Sequence, residues 1–543
     1  MSAESLSLLF AEDGDSAPEF YQIFNTFSED SSDVNTLFFK FLSDTTKRQI
    51  KSVFRLDDLR DYKKSPSVHK GILANKIGGL WKEILIDAIY FLRINDSRER
   101  LFYKDKNTKS DMKQSVVEAV RRANTFGIDD LYAYFNQFTE FESILYGTDK
   151  FYRDHIIHPI NVWIIGLHII KKFGSSFKIL SCEKIEVAKN DSGDNGQSKM
   201  HLSIAELSAM WTVISLTHDI GYPLEKVEKI NDQLEKMLGQ FGKIKFNRSN
   251  FAFENRHDNL VNFLINFISS VAKPDSNNPH SLTNHKQWKF WTKKSKIAKH
   301  KKDSKENNWF IHKRWKYWSK FSKSWEAYDH GIVSSLILLK SLTFFIEADY
   351  ADSSPLTKNE DARQFAIRSE ILHSIAAHTT PKIYHLLTNN LPFLLILCDE
   401  MQEWSRPTFS DIRAGARGRA RRVELTELSI DKMNSKIEFK ADYEDLPYDS
   451  QLILAEKIFS GWYERLRYAL DDAERNLTFH WTLSFGEEAK FVWEFIFNSS
   501  NPTFEIVELM IPEGENDNCQ KRKTIEDLKA LREKLNNRHS SKK

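Results

Sequence analysis

The sequence lacks the residues that several functional classes require. Of its 543 residues only three are cysteines, Cys182, Cys398 and Cys519, which excludes a disulfide framework. No paired Cys-x-x-Cys, no phosphate-binding loop ending in Gly-Lys-Ser/Thr and no three-glycine dinucleotide fingerprint occurs. Structural zinc, ATPase and dehydrogenase interpretations therefore lack their minimum residues, and serine chemistry is unsupported as well.

Long apolar runs are also missing. The best one, residues 391–398, is followed directly by Asp399 and Glu400, whereas a spanning helix needs roughly 18 apolar residues. Residues 1–16 have no basic stretch ahead of an apolar one, so no secretory signal is expected. With so few cysteines, we expect a soluble protein of the reducing cytoplasm, without a membrane partner.

Charge is unevenly distributed along the chain. Residues 286–323 hold 14 Lys and Arg against two acidic residues, a local +12, so the net charge of +2 leaves −10 for the remainder. Five tryptophans lie among these lysines. One interpretation is a solvated insertion, about residues 274–325, whose aromatic residues dock on their own domain. The other is a surface for nucleic acid or another partner, with contacts from Lys289, Lys293, Lys294, Arg314 and Lys316.

Periodicity divides the chain into regions. Apolar spacings of three and four at residues 71–95 predict a helical layer within residues 1–145, and a polar loop is expected at 188–199. Alternating apolar residues at 423–430, 436–443, and parts of 477–485 and 504–511 predict strands, with a helix at 450–474. We therefore expect a mostly α protein, with a smaller α+β domain at 407–513 and a polar tail at 514–543.

Histidines and aspartates stand at the ends of apolar helices. His158 opens the apolar stretch that runs to residue 170, and the apolar helix at 211–217 leads directly into His218 and Asp219. Further along, His330 opens an apolar stretch, His378 ends one, and Asp399 follows residues 394–398. Helix ends that converge at one end of a bundle are a common way to build a metal centre.

This order of residues resembles the HD superfamily of metal-dependent phosphohydrolases, in its dinuclear branch. The resemblance covers about residues 146–406 and implies an HD-type helical bundle. It implies that His158, His218, Asp219 and Asp399 bind one metal ion, and that Asp219 bridges to a second ion completed by His330 and His378. The expected cofactors are two divalent ions of Mn, Fe, Co, Ni or Zn, which mixed His and Asp ligation does not distinguish.

The implied reaction is hydrolysis of a phosphate ester by a metal-bound hydroxide. A metal lowers the pKa of water from 15.7 towards about 7, so hydroxide forms at neutral pH. The expected substrate is a nucleotide, including cyclic nucleotides. Two alternatives remain open, a nuclease of the same type and a catalytically weak metal-containing binding module.

Neighbouring residues leave several assignments open. His155 is the rival of His158, because a spacing of three residues puts both on nearly one helical face. We expect His155 and Arg153 to lie directly behind the metal ligands or to contact substrate, and His373 to lie behind the ligands or in the core. Glu403 is either a substrate contact or one half of a structural ion pair with Arg406.

One departure from the family pattern concerns phosphate binding. Many relatives follow the His-Asp doublet with Gly-Lys, whereas here Gly221 precedes Tyr222. The phosphate-binding cation must therefore come from elsewhere, and Lys226, Arg153 and Arg406 are the candidates. An arginine cluster that includes Arg417 and Arg419 is either an exposed linker or a further phosphate contact, since guanidinium groups pair bidentately with phosphate.

Overall fold

Between residues 39 and 402, most of the described apolar stretches fold as helices. The structure, a computed structural model, describes residues 39–54, 66–94, 127–148, 155, 158–173, 202–240, 255–274, 309–347, 355–356, 359–380, 386–387, 390–402, 423–431, 433–443, 448–466, 469–470, 477–485, 489–497 and 503–510. Helices dominate these ranges, and a small sheet region occupies the C-terminal part, as the periodicity predicts. In these ranges no helix has the length and apolar character needed to cross a membrane.

The helical part extends from residue 44 to residue 401 of the described chain. Its helices are α1 (Asp44–Phe54), α2 (Pro66–Ile94), α3 (Ile128–Thr148), α4 (His158–Phe173), α5 (Ile204–Thr217), α6 (Tyr222–Glu225), α7 (Val227–Gly239), α8 (Asn255–Ser269), α9 (Trp315–Glu326), α10 (His330–Ser341), α11 (Thr343–Ile346), α12 (Asn359–Ala377) and α13 (Leu391–Met401). Strands β1 (Ser270–Pro274), β2 (Trp309–Lys313) and β3 (Pro355–Leu356) form a small antiparallel sheet beside them.

Helix α5 lies at the centre of this bundle. It packs against α2, α4 and α12, and every residue from Ala205 to Thr217 is buried. A capping box starts the helix, because Ser203 accepts from the backbone of Glu206 while the Glu206 carboxylate accepts from the backbone of Ser203. Its hydroxyl groups bond to carbonyls one turn back, as Thr212 does to Ser208 at 2.7 Å, which lets polar residues lie in an apolar environment.

The C-terminal part combines one long helix with a five-stranded sheet. Its elements are β5 (Val423–Asp431), β6 (Lys436–Tyr443), α14 (Tyr448–Leu466), β8 (Leu477–Phe485), β9 (Ala489–Phe497) and β10 (Thr503–Met510). The strand order is β10-β9-β8-β6-β5, antiparallel except for β6 and β8. Helix α14 makes the crossover that a parallel pair requires, and it stacks Trp462 on Phe479 and Trp481 with ring centroids 4.9 and 4.8 Å apart.

Two details of the C-terminal part differ from the sequence-based expectation. The helix predicted at 450–474 ends at Leu466, because Ala469 and Leu470 form strand β7 (Ala469–Leu470), which pairs in parallel with β4 (Leu386–Leu387). Strand β9 was not predicted, since its apolar run has little alternation. It is central in the sheet, and Val492 is buried along with Phe491 and Trp493.

Other expectations lie outside the described residues. These are the polar loop at 188–199, the tail at 514–543 and most of the basic insertion, residues 275–308. In the described part of the insertion, Trp309 is buried and Trp318 packs on the core, so these two aromatic residues dock on their own domain. The domain boundaries at 145, 406 and 513 stay predictions.

Candidate metal centre

Five helix ends bring six side chains together in the bundle. His158 is the first residue of α4, His218 caps the end of α5, and Asp219 follows it. The other three are His330 at the start of α10, His378 directly after α12, and Asp399 in the last turn of α13. The side chains of His158, His218 and His378 are 0% exposed, and the cluster is therefore largely shielded from water.

The Asp219 carboxylate lies between two pairs of histidines. Its Oδ2 is 3.3 Å from Nε2 of His218 and 3.5 Å from Nε2 of His158. Its Oδ1 is 3.3 Å from Nε2 of His330 and 3.7 Å from Nε2 of His378. Each oxygen therefore faces a different pair of imidazoles.

Asp399 completes one side of the cluster. Its Oδ1 is 3.0 Å from Nε2 of His158 and 3.8 Å from Nε2 of His218. Two buried groups could consequently hold a metal ion, one made of His158, His218 and Asp399 and the other of His218, Asp219 and His378.

Hydrogen bonds on the far side of each ring orient the imidazoles. Nδ1 of His218 donates to the Ser215 carbonyl at 2.8 Å, and Nδ1 of His378 donates to the Ile375 carbonyl at 2.6 Å. Since a carbonyl only accepts, Nδ1 carries the proton in both rings, and in the neutral imidazole Nε2 is left as the donor atom for a metal. Within the described residues neither Nε2 has a hydrogen-bond partner although both are buried, which fits a metal ligand.

The side chains of Glu225 and Gln402 orient the rings of His330 and His158 in the same way. Nδ1 of His330 donates to Oε2 of Glu225 at 2.5 Å, and the backbone N–H of His330 bonds to the same oxygen at 3.2 Å. Nδ1 of His158 contacts the side-chain oxygen of Gln402. Carboxylate and amide partners of this kind set the orientation and basicity of metal-binding histidines.

The His-Asp doublet is held in place from several directions. The backbone N–H of Gly221 donates to the Ser334 hydroxyl at 2.8 Å, and that hydroxyl donates to the His218 carbonyl at 2.7 Å. A Cβ at position 221 would lie 2.5 Å from the His330 carbonyl oxygen, so only glycine permits this approach. Trp81 and Tyr134, from α2 and α3, donate to the carbonyls of Leu216 and Ile220 at 2.7 and 2.8 Å.

The surroundings shift the pKa values of three of these histidines in different directions. Burial opposes protonation of His218, but the carboxylates of Asp219 and Asp399 outweigh it and raise the pKa of His218 to about 10. Burial also opposes protonation of His330, and hydrogen bonds with Asp219 and Glu225 raise its pKa to about 9. Burial, together with the nearby charges of His330 and His218, lowers the pKa of His378 to about 4. Metal binding at neutral pH must therefore displace protons from His218 and His330.

Arg465 is a residue of this site that sequence reasoning missed. It lies on α14, and its Nη1 bonds to Oδ2 of Asp399 at 3.2 Å and to the Glu400 carboxylate. Its Nη2 donates to the His378 carbonyl at 2.7 Å. No local signal identifies this arginine, because it follows Asp399 by 66 residues and belongs to the predicted α+β region.

Two residues of the predicted surroundings, His155 and Lys226, lie beside the cluster, and both contact Tyr222. The ring of His155 stacks on Tyr222 with centroids 4.1 Å apart, and its backbone N–H donates to Glu142 at 2.6 Å. Lys226 places Nζ 4.3 Å from the centroid of the Tyr222 ring and bonds to Glu225. Tyr222 in turn packs edge-on against His330 with centroids 5.3 Å apart, so this group borders one side of the site.

The remaining predicted residues are placed elsewhere or not described. Nδ1 of His373 donates to the Ile268 carbonyl at 2.9 Å, and the ring packs edge-on against Tyr317 and Phe321, which is a core position under α9. Arg314 and Lys316 lie at the start of α9. Outside the described residues are Arg153, Lys289, Lys293, Lys294, Glu403, Arg406, Arg417 and Arg419.

Comparisons with protein-family models, with curated proteins and with solved structures found nothing that matches this chain.

Proposed function

We propose that this protein is an HD-type metal-dependent phosphohydrolase that hydrolyses a phosphate ester of a nucleotide, cyclic nucleotides included. The observation that carries the proposal is the position of Asp219, whose two oxygens face two different histidine pairs at 3.3 to 3.7 Å. A carboxylate that faces a single imidazole would serve as an ordinary buried ion pair. One that divides its oxygens between two pairs is suited to bridge two cations.

The donor set supports two divalent ions. Neutral imidazole and carboxylate are ligands for Mn, Fe, Co, Ni and Zn alike, so the identity of the ions would follow from availability. We assign His158, His218 and Asp399 to one ion, His330 and His378 to the other, and Asp219 to both. Bound ions would supply an activated water and neutralise the phosphoryl oxygens during hydrolysis.

The residues of the chain perform the remaining tasks. Glu225 and the carbonyls of Ser215 and Ile375 hold the imidazoles of His330, His218 and His378 with Nε2 facing inwards. Lys226 and Arg465 are cations that lie beside the cluster, and we propose that they contact the phosphate in place of the lysine that follows the doublet in many relatives. Cytoplasmic location remains a prediction from the low cysteine content.

The test measures metal content and phosphate release in the same samples. We would compare the purified protein with its Asp219→Asn variant, using elemental analysis and a panel of nucleotides, cyclic dinucleotides and oligonucleotides. We expect the variant to lose bound metal and to fall in activity by more than about 100-fold, because asparagine leaves a neutral bridge between two cations. A matched control is Asp129→Asn, at an exposed carboxylate that pairs with Lys82, and it should leave both properties unchanged.

Two outcomes would overturn the proposal. Asp219→Asn with normal metal content and activity would remove the bridging role. Metal in the native protein without phosphate release from any member of the panel would favour the metal-containing binding module.

A nuclease is the second candidate, and the exposed Trp315, Lys316 and Lys323 on α9 favour it. The salt dependence of substrate affinity distinguishes a nuclease from a mononucleotide hydrolase. A nuclease that neutralises several backbone phosphates loses affinity steeply as salt rises, whereas a mononucleotide hydrolase does not.

A further inference from the structure

Helix α9 has one side in the core and a cationic side facing solvent. Tyr317, Phe321 and Ser324 are buried, whereas Lys316 and Lys323 are exposed and Lys320 is partly exposed. Residues three and four apart are neighbours on a helix surface, so these three lysines form one stripe. At 1.5 Å per residue, the stripe is about 10 Å long.

An exposed tryptophan stands at the start of the same helix. Trp315 is 67% exposed, whereas Trp309, six residues earlier in strand β2, is 2% exposed. Nζ of Lys313 lies 4.9 Å from the centroid of the Trp315 ring. The Trp318 ring packs edge-on against the Trp315 ring, with centroids 5.7 Å apart. A large aromatic surface that stays in contact with water beside cations commonly marks a binding site.

The charge of this segment is almost entirely positive. Residues 309–326, which include all of α9, contain five basic residues, Lys313, Arg314, Lys316, Lys320 and Lys323, against one acidic residue, Glu326, at the end of the helix. The cations lie close enough to affect one another, because burial and the charge of Lys316 lower the pKa of Lys320 to about 8. A bound polyanion would relieve this crowding.

We propose that Trp315 and the lysine stripe of α9 bind single-stranded nucleic acid, with a base stacked on the indole and successive phosphates along the lysines. The phosphate of a mononucleotide would contact the lysines at only one end of a stripe of this length. A membrane surface would need several exposed apolar side chains, whereas Tyr317 and Phe321 are buried and Trp315 alone projects among the large apolar residues of α9.

The C-terminal end of α9 lies close to the candidate metal centre. The hydroxyl of Ser324, in the last turn of α9, donates to the Asp329 carboxylate at 2.5 Å and contacts the Thr380 hydroxyl at 2.9 Å. Asp329 and Thr380 are one and two residues from His330 and His378. Cleavage of a bound strand rests on the proposed hydrolase function, whereas binding itself does not.

The test is fluorescence anisotropy of a labelled 12-nucleotide oligothymidylate with the full chain, in EDTA so that no hydrolysis occurs. Trp315→Ala should weaken binding about 5- to 150-fold, from the usual contribution of one base–aromatic stack. Replacing Lys316, Lys320 and Lys323 together with glutamine should weaken binding and reduce the slope of log affinity against log salt by about 2. The matched control is Met433→Ala, at a side chain that is 92% exposed in the C-terminal part, and it should bind like the native protein.

Folding and the membrane alternative are checked in parallel. Because Trp315 projects into solvent, its variant should melt within a few degrees of the native protein, and Trp315→Phe should recover part of the affinity. Equal binding by native protein, Trp315→Ala and the triple variant would overturn the proposal. So would absence of binding to the oligonucleotide, including the case in which only phosphatidylserine vesicles bind.

Discussion

The helical bundle and the C-terminal sheet bury different kinds of side chain. In the bundle, four histidines and two aspartates collect at helix ends, and further polar side chains such as Glu206, Arg368 and Glu370 are buried within the helices. In the described part of the C-terminal region, the buried side chains are aromatic and aliphatic except for Thr482. Burying ionisable groups costs free energy unless they are paired or bind metal. Burial of these groups therefore costs the bundle free energy that the described part of the sheet does not lose, and the groups that could hold a metal ion lie in the bundle.

Arg465 is the contact between the two regions that reaches the candidate metal centre. It comes from the sheet-associated helix α14 but bonds to Asp399, Glu400 and the carbonyl of His378. The comparison therefore separates three proposed roles, which are stability in the sheet, metal binding in the bundle, and positioning at their contact. One substitution for each role can test it.

The largest effect is expected in the aromatic core of the sheet. Trp462 is buried and stacks on Phe479 and Trp481, so Trp462→Ala should lower the free energy of unfolding by about 3–5 kcal/mol. Chemical denaturation measures this change, and Met433→Ala should stay within about 0.5 kcal/mol. At saturating metal the folded variant should retain its metal stoichiometry. Loss of metal without loss of stability would break the proposed separation of roles.

An intermediate effect is expected at Glu225 in the bundle. Glu225→Gln keeps a hydrogen-bond acceptor for Nδ1 of His330 but removes the charge, so metal affinity should fall by about 10- to 100-fold. Titration calorimetry with a single divalent metal measures this loss, and stability without metal should change far less than in Trp462→Ala. As a control, Glu235→Gln replaces an exposed carboxylate on α7. Equal affinities for both variants would contradict the orienting role of Glu225.

The smallest effect is expected at the contact itself. Arg465→Ala removes charge-assisted hydrogen bonds, but its side chain is 31% exposed, so solvent screening limits the loss to about 1 kcal/mol. We expect metal affinity to fall about fivefold and the Michaelis constant for a phosphate ester to rise. Arg465→Lys should restore charge but only part of the geometry, since an ammonium group lacks the planar fork. If Arg465→Ala and Arg465→Lys have the same stability and the same kcat and Michaelis constant, the charge of Arg465 has no role and its side chain contributes only packing.

Local patterns predicted much of the secondary structure. The alternation in residues 423–430 and 436–443 predicted β5 and β6 closely, and the apolar residues after His158 predicted α4. Strand β9 escaped because a central strand is apolar on both faces and loses its alternation. The end of α14 was missed because pairing of Ala469 and Leu470 with Leu386 and Leu387 is a tertiary contact.

The candidate site was predicted in part for a similar reason. Local sequence pattern is enough to predict His218 and Asp219, because they directly follow an apolar helix. The same criterion, a His or Asp at the end of an apolar helix, predicts His158, His330, His378 and Asp399. Glu225 and Arg465 are not visible in this way, because nothing near them in sequence distinguishes them from other charged residues.

The sequence by itself determined which side chains stand at helix ends, because periodicity and capping residues are local properties of the chain. Tertiary structure alone decided that Asp219 divides its oxygens between two histidine pairs, that His373 lies under α9 beside Tyr317, and that Arg465 reaches Asp399. Such pairings depend on the packing of helices that are far apart in the chain. Their distances are set by the shape of the whole core, which no short window of residues contains.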